Sequence, residues 1–329
     1  MKMANSKNGI LNFNPSYMVV FLLFIMLVGV PYFTTPYMIV YLTDIFMYVV
    51  LTVSWALFSG LTNYLSLATA AFFGTGVYIS AMLGEKLPFA LVVVLGGLIN
   101  FLLAIFVGLP SLRLMGMYFV IFTLGLSELI RHSVQWWEAN VSFMSGRIVI
   151  SLTPLTSYYM MLTIVAICMI TAYVIRRSRY GLALRGIGES EIAAKHIGVN
   201  VNAVKIVVFA ISASFIGSTG VIMATQWTYI DPNTAFDPRY SFMPILMAIL
   251  GGTGRIYGQV IGATILTAFG DILLTRFPYY YNLLFGFLLV IVILFLPQGL
   301  ISLKRKLQKW RKWGGVKREY ATARSRRVD

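Results

Sequence analysis

Continuous runs of apolar residues, each long enough to cross a membrane as a helix, dominate this sequence. A spanning helix needs about 20 mainly apolar residues to cross a hydrocarbon core of about 30 Å. The pattern predicts eight spanning helices, over residues 17–34, 36–57, 61–83, 87–109, 114–134, 157–175, 203–225 and 279–297. Because these runs are continuously apolar and long, helices are favoured over strands.

A further apolar region, 241–275, is interrupted by the stretch LGGTGRIYG at residues 250–258. Gly251, Gly252 and Gly254 weaken a helix there, so we expect two helical pieces joined by a turn. The pieces form either two full spans or a re-entrant pair, since irregular backbone at membrane depth is tolerated where protein covers it. The predicted fold class is an all-α polytopic membrane helix bundle, with eight spans plus this hairpin or with ten spans.

The composition agrees with a membrane protein, because 59% of the 329 residues are hydrophobic and only 11% are charged. Soluble domains carry roughly 25% charged residues. The net charge is +15, yet eleven of the 26 Lys and Arg residues lie in 304–329 and six more lie in 176–205. Such clustering follows the positive-inside rule and favours contact with lipid headgroups over contact with nucleic acid.

This charge distribution predicts a multi-pass protein of the cytoplasmic (inner) membrane with both termini in the cytoplasm. Residues 1–303 form the predicted transmembrane domain, with a cytoplasmic segment at 176–202. Residues 304–329 form a basic cytoplasmic tail.

The residues that usually mark an enzyme are missing from the sequence. No Gly-Lys dipeptide occurs, so the phosphate-binding loop G-x-x-x-x-G-K-[ST] is absent. His132 and His196 have no companions at ligand spacing, and Cys168 is the single cysteine. We therefore expect neither catalysis by this chain nor a bound metal or cofactor.

Three acidic residues lie within predicted spans, where a charge is costly and often functional. Glu128 has Arg131 and His132 at i+3 and i+4, a spacing that favours local pairing. Asp44 stands alone in its apolar run and Asp271 has Arg276 nearby, so a self-sufficient ion-coupled carrier that uses such groups stays open as an alternative function.

Small and polar residues concentrate in SGLTNYLSLATAAFFGTGVY, residues 59–78. Ser66, Ala70 and Gly74 recur every fourth residue, a spacing that lets another helix approach closely. The same residue types are also suited to lining a translocation pathway for a solute with an apolar body and a polar end. The candidate pathway residues are Asn63, Ser66, Thr69, Phe72 and Gly74.

A mixed-charge stretch, YGLALRGIGESEIAAKHIGVN at residues 180–200, lies between two apolar runs. Glycines 186 and 188 weaken helix continuation, and Glu189 and Glu191 suit the start of a new short helix. Lys195 and His196 suit its end, with Gly198 as the residue after the C-cap. A two-turn helix is marginal alone, so it packs either on the protein's own spans or on a cytoplasmic partner.

Five stretches in the same order resemble one family. RYGLALRGIGESEIAAKHIGVN at 179–200 is similar to the Arg-Tyr-Gly-Xaa-Ala-Leu…Ala-Ala…Gly-(Val/Ile)-Asn motif of branched-chain amino-acid ABC importer permeases, particularly their M-type (LivM-like) subunit. The other four stretches are LSLATAAFFGTGVY, LRLMGMYFVIFTLGLSELIR, LMAILGGTGRIYGQVIGA and FLPQGL, at residues 65–78, 112–131, 246–263 and 295–300.

The resemblance implies a permease without its own ATPase. It would pair with a homologous second permease subunit and two cytoplasmic ATP-binding subunits, and receive its solute from an extracytoplasmic substrate-binding protein. The segment that docks on the ATPase would contain Tyr180, Gly181, Leu184, Arg185, Glu189, Glu191, Ala193, Ala194 and Gly198.

Two departures from the family pattern affect the expected substrate. Ala68-Thr69 follow Leu-Ser-Leu where the family usually has Gly-His or Gly-Gln, and VSFMSG at 141–146 replaces a common Thr-Gly-Gly. Branched-chain or other hydrophobic amino acids are the expected substrates. Urea, short amides or another small polar solute on the same scaffold are the alternatives.

Overall fold

The computed structural model describes residue 24, residues 26–143 and 146–280, and positions 283, 284, 286, 287 and 290. The predicted tail at 304–329, residues 17–23 and 25 of the predicted span at 17–34, most of the predicted span at 279–297, and the stretch at 295–300 lie outside these residues.

The described chain is almost entirely helical. Its long helices are α1 (Pro36–Thr62), α2 (Thr69–Leu83), α3 (Phe89–Ser111), α4 (Met117–Trp137), α5 (Pro154–Arg177), α8 (Val201–Ala224), α10 (Arg239–Gly251) and α11 (Ile256–Arg276). Shorter helices are α6 (Arg179–Glu189), α7 (Glu191–His196) and α9 (Pro232–Ala235). Two short strands, β1 (Arg147–Ile148) and β2 (Tyr229–Ile230), pair antiparallel.

Five of the described helices are long and apolar enough to cross a membrane: α1, α3, α5, α8 and α11. The prediction of an all-α membrane bundle is confirmed, whereas the count of eight spans is not. Helix α2 is apolar but has only 15 residues, about 22 Å at 1.5 Å per residue, and falls short of the hydrocarbon core.

Helix α8 packs between α2 and α3 through small residues. A methyl group at Gly76 of α2 would overlap the backbone carbonyl of Gly217 of α8, and one at Gly220 would overlap the carbonyl of Phe73. On the other side, a methyl at Gly97 of α3 would lie 2.6 Å from Ser218 Oγ. The absence of side chains at these positions lets the three backbones approach closely, as in other membrane helix pairs.

The predicted span at 61–83 is interrupted in the structure. Helix α1 ends at Thr62, with Asn63 in the left-handed conformation (φ 59°), and α2 begins only at Thr69. Residues 63–68, here called the extended segment, carry no helix. Ser66 therefore precedes α2, so Ser66, Ala70 and Gly74 do not form the single helix face that their spacing predicts.

Side chains from three helices satisfy the backbone of the extended segment. Trp55 Nε1 of α1 donates to the carbonyl of Ser66 at 2.8 Å. The N–H of Leu67 donates to Thr123 Oγ1 of α4 at 3.0 Å, and its carbonyl accepts from Ser127 of α4 at 3.1 Å and from Ser241 of α10 at 2.7 Å. Non-helical backbone within an apolar bundle is stable only when its polar groups are paired in this way.

The predicted break in 241–275 is confirmed. Helix α10 ends at Gly251, Gly252 has φ 89°, and α11 begins at Ile256. A methyl at Gly251 would overlap the carbonyl oxygen of Gly258, so the two helices touch backbone to backbone. A methyl at Gly254 would meet nothing within 4 Å. Helix α11 is of spanning length, whereas α10 has 13 residues, about 20 Å.

The bundle has two distinct ends. Helix α5 connects the strand β1 to α6, so the paired strands mark one end, called the ribbon end, and residues 178–200 mark the other, called the segment end. Arg176 Nη2 donates to the carbonyls of Thr253 at 3.2 Å and Ala56 at 3.4 Å, which places the hairpin turn at the segment end.

Candidate functional site

Residues 178–200 form two capped helices that fold as a compact unit at the segment end. Ser178 Oγ accepts from the N–H of Tyr180 at the start of α6, and Ser190 Oγ accepts from the N–H of Ala193 at the start of α7. Such N-caps supply an acceptor to amide groups that lack a helical partner. We call this unit the coupling segment, after the role that the resemblance implies for it.

The break within the coupling segment differs from the sequence-based prediction. Helix α6 continues through glycines 186 and 188 to Glu189, and the chain changes direction at Ser190, which is extended (φ −159°). Glu191 begins the new helix, as predicted, but Glu189 ends the preceding one. A serine that can cap α7 decides the boundary here, because its side chain offers the hydrogen bond that the glycines cannot.

Gly198 ends α7 as the sequence predicts. Its φ is 85°, its N–H donates to the carbonyl of Lys195 at 3.0 Å, and the N–H of Val199 donates to the carbonyl of Ala194 at 3.1 Å. This pair of bonds is a Schellman motif, which needs a residue in the left-handed conformation after the C-cap.

One face of the coupling segment is buried against the bundle. Leu184, Ile187 and Ala194 are 0–3% exposed. Gly181 and Gly188 let the backbone of α6 approach the ends of α5 and α1. A methyl at Gly181 would lie 2.7 Å from the carbonyl oxygen of Arg176, and a methyl at Gly188 would overlap the carbonyl of Leu61. The segment is thus fixed to the ends of α1 and α5.

The opposite face exposes large apolar side chains. Leu182 is 73% exposed, Ile192 68% and Ile197 81%, and Tyr180 is half exposed. Arg185, Glu189, Ala193 and Gly198 are also on the surface. The sequence-predicted coupling residues therefore divide into a buried set, Gly181, Leu184 and Ala194, and an exposed set that is available to a partner, while Glu191 has a separate role.

Glu191 joins the coupling segment to the bundle by hydrogen bonds. Its Oε2 accepts from Tyr64 Oη at 2.5 Å and from Lys205 Nζ at 3.1 Å, and its Oε1 lies 3.0 Å from Lys195 Nζ. Burial would raise the pKa of Glu191, but hydrogen bonds from Tyr64, Lys195 and Lys205 outweigh that effect and hold the pKa at about 2. Glu191 is ionised at every physiological pH.

Three of the predicted pathway residues line one small cavity inside the bundle. Its volume is about 10 Å³, room for a single water molecule. Small-molecule sites are typically about 300–1,000 Å³, so the cavity is closed to a solute in this conformation. Its lining residues are Trp55, Phe58, Ser59, Ser66, Thr69, Phe72, Phe209, Ser212, Ala213 and Ile216.

The other two predicted pathway residues lie elsewhere. Asn63 is at the segment end, where its Nδ2 donates to the carbonyl of Gly188 at 2.9 Å. Gly74 lies beneath the buried ring of Phe236, which a methyl at position 74 would overlap. Asn63 thus contacts the coupling segment rather than the cavity, and Gly74 makes room for the loop that follows β2.

The three acidic residues singled out in the sequence separate into two places, with Glu128 on α4 and with Asp44 of α1 close enough to Asp271 of α11 for their carboxylates to interact electrostatically. Glu128 pairs with Arg131 at 2.5 Å on its own helix, as its spacing predicts. Asp271 accepts a long hydrogen bond of 3.3 Å from Tyr37. Among the described residues no group of three His, Cys, Asp or Glu side chains could hold a metal ion.

Two residues of this site have no distinct sequence motif. Lys205 and Tyr64 bind Glu191 from distant positions in the chain. A lysine inside an apolar run is a signal of function in a membrane protein, but the sequence alone does not show which carboxylate it meets.

The profile of a known family matches residues 37–293, and its description is "Branched-chain amino acid transport system / permease component". The match covers the bundle, the extended segment, the coupling segment and the hairpin. The chain belongs to this family. The resemblance inferred from the five motifs is thereby confirmed.

Individual relatives agree with the family. The high-affinity branched-chain amino acid transport system permease protein LivM of Salmonella typhimurium is 25% identical over 308 residues, which cover 83% of this chain and 72% of the relative. LivM of Escherichia coli K12 has the same identity and coverage. The autoinducer 2 import system permease protein LsrC of Yersinia enterocolitica is 26% identical over 224 residues, 63% of this chain and 59% of the relative.

No solved structure matches the chain. The relatives are transport permeases rather than enzymes, which agrees with the expectation from the sequence. Family membership and the five apolar helices make the chain a multi-pass membrane permease.

Proposed function

We propose that this permease is the membrane-spanning subunit of an ABC importer that takes up branched-chain or other hydrophobic amino acids into the cell, driven by separate ATP-binding subunits. The observation that carries this proposal is the coupling segment. It is capped at the start of both helices, fixed to the bundle on one face, and exposes large apolar side chains on the other.

The exposed face suits a protein partner. Leu182, Ile192 and Ile197 lie within 16 residues of one another in the sequence and are each at least 68% exposed. They share the segment end with Arg177, Arg179 and Lys195, a charge pattern that favours the cytoplasmic side of a membrane. A mixture of apolar anchors and charged neighbours is typical of a docking surface for a water-soluble protein.

The remaining subunits are those that membership of the permease family implies. ATP hydrolysis belongs to two cytoplasmic ATP-binding subunits docked at the segment end, in keeping with a sequence that contains no phosphate-binding loop. A homologous second permease completes the pathway. A substrate-binding protein delivers the solute at the ribbon end, and both termini lie in the cytoplasm.

Support for an amino acid as the substrate comes from the relatives named for branched-chain amino acid transport. The cavity offers hydroxyl groups from Ser66, Thr69 and Ser212 beside the rings of Phe72 and Phe209. Such a lining suits a solute with an apolar side chain and a polar end. The similarity to an autoinducer 2 import permease favours a test with other small polar solutes, urea and short amides included.

The docking proposal is tested by a charge placed on the exposed apolar face. Ile197→Glu introduces a carboxylate at an 81% exposed position, and Ile148→Glu is a matched control at a 77% exposed position of β1, at the ribbon end. Affinity purification of the tagged permease, co-expressed with the second permease and the ATP-binding subunits of the same transport system, measures docking. We expect Ile197→Glu to reduce recovery of the ATP-binding subunits at least tenfold and the control to retain it. Equal recovery with both variants would contradict docking at this face.

A further inference from the structure

Lys205 is a buried lysine in the second turn of α8, directly after the coupling segment. It is 0% exposed. Its ammonium group donates to Glu191 Oε2 at 3.1 Å, to the carbonyl of Leu112 at 3.0 Å and to Tyr64 Oη at 3.3 Å. These three bonds use all the N–H donors that a lysine has.

A lysine without such partners would be strongly destabilising in this position, because desolvation of a charge is costly unless hydrogen bonds and an opposite charge replace water. The ammonium also lies 4.4 Å from the centroid of the Tyr64 ring, a distance at which the ring face attracts a cation. The ammonium group of Lys205 therefore joins α8 to α7, to the end of α3 and to the extended segment.

The two lysines that bind Glu191 differ in what they connect. Lys195 is on the same helix as Glu191, and its side chain is 52% exposed, so their ion pair stays within the coupling segment and in contact with solvent. Lys205 reaches outside the segment. Of the two lysines, Lys205 also donates to Tyr64 Oη. Tyr64 belongs to the extended segment, which leads to the cavity.

Tyr64 is two residues before Ser66, and the extended segment between α1 and α2 is held by hydrogen bonds along its length. Ser66 and Thr69 both line the cavity. Ser66 N donates to Ser59 Oγ at 3.3 Å, and Ser59 is a lining residue as well. A displacement of Tyr64 would therefore act on the cavity wall two residues along the chain, through backbone that side chains of α1, α4 and α10 hold by hydrogen bonds.

We propose that Lys205 is a positioning residue that fastens the coupling segment to the extended segment, so that movement of the coupling segment by the ATP-binding subunits is passed through Glu191 and Tyr64 to the cavity lined by Ser66 and Thr69. The proposal rests on the proposed function for the source of the movement. The mechanical link itself is a property of this chain alone.

The link is tested first in the full chain in lipid nanodiscs, by amide hydrogen exchange. Lys205→Met removes the charge and keeps a chain of similar length, and Lys195→Met is the matched variant at the exposed partner of the same carboxylate. We expect Lys205→Met to speed exchange at least tenfold in residues 63–68 and 191–199 together. Lys195→Met should leave 63–68 within twofold of wild type.

If exchange in residues 63–68 is unchanged in a folded Lys205→Met protein, the link is refuted. Tyr64→Phe gives a second route if Lys205→Met fails to insert, because it removes one hydroxyl and keeps the ring. Tyr64→Phe should speed amide exchange in residues 191–199 by about threefold or more. Lys205→Arg keeps the positive charge, so its amide exchange should be slower than that of Lys205→Met. Unchanged exchange with Tyr64→Phe would count against the link as well.

A second readout separates positioning from simple loss of structure. In proteoliposomes with the assembled importer, Tyr64→Phe should retain ATP-binding subunits and ATP hydrolysis, while uptake of radiolabelled leucine falls. The ATP hydrolysed per leucine transported should rise at least threefold. A parallel fall of hydrolysis and uptake would refute the positioning role.

The two proposals fail in different ways. If wild-type permease recovers no ATP-binding subunits, the proposed function fails, whereas coupled exchange of 63–68 and 191–199 in the isolated chain would still support the link. If subunits dock and residues 63–68 do not respond, the link fails and the proposed function stands.

Discussion

The contact between α10 and α11 gives a prediction whose magnitude follows from backbone geometry. A methyl at Gly251 would overlap the carbonyl oxygen of Gly258 and lie 3.0 Å from the Gln259 nitrogen. Backbone atoms in packed helices cannot rotate away, so the helices must separate. Overpacking of this kind costs about 1–3 kcal/mol, against which the better helix propensity of Ala returns at most about 1 kcal/mol.

Gly254 is the matched control in the same hairpin, three residues after Gly251 and four residues before Gly258. A methyl there meets nothing within 4 Å, and its φ is not in the left-handed range. Ala is therefore accommodated and restricts the unfolded chain, which is neutral or stabilising by about 0.4–1 kcal/mol. We expect Gly251→Ala to be less stable than Gly254→Ala, by about 1–3 kcal/mol.

The assay is thermal unfolding of the purified permease in detergent, followed by tryptophan fluorescence, with the two alanine variants and wild type measured side by side. Gly251→Ala should melt several degrees lower, and Gly254→Ala should melt at or above the wild-type temperature. Equal melting temperatures for the two variants would refute the backbone-to-backbone packing of α10 on α11.

Three further outcomes are expected from single contacts. Gly198→Ala should destabilise the end of α7 by about 1 kcal/mol, because its φ of 85° is unfavourable for a residue with a side chain, and exchange of residues 194–199 should accelerate. Trp55→Phe should lose the bond to the carbonyl of Ser66 and about 1–3 kcal/mol of stability in a chemical melt, since that acceptor is left buried. Glu191 has a pKa lowered from 4.5 to about 2, so its contribution is present above pH 4.5 and lost as the pH falls toward 2. The melting difference between wild type and Glu191→Gln should thus be constant from pH 8 to 5 and shrink below pH 4.5; a difference that changes between pH 8 and 5 would contradict this assignment.

The sequence was informative where the determining interactions are local. The apolar runs predict the long helices, the glycines at 251–254 predict the hairpin break, and Gly198 predicts the end of α7. Each of these depends on residues within one or two turns of each other. The N-cap role of Ser190 is local as well, but the two glycines before it obscured the boundary between α6 and α7.

The sequence was uninformative where distant residues decide the structure. The extended segment leaves the helical path because Trp55, Thr123 and Ser241, from three different helices, bond its backbone. The buried position of Lys205 depends on Glu191 and Tyr64, 14 and 141 residues away along the chain. Helical periodicity carries no information on such pairs, so they emerge only from the packed structure.

We expect this permease to move its solute only when ATP-binding subunits act on the coupling segment. Uptake of radiolabelled leucine into proteoliposomes tests it most directly, comparing the chain alone with the assembled importer at saturating ATP and substrate-binding protein. ATP-dependent uptake by the assembly, and none by the chain alone, is the expected result. Robust uptake by the chain alone, particularly uptake driven by an ion gradient, would contradict it.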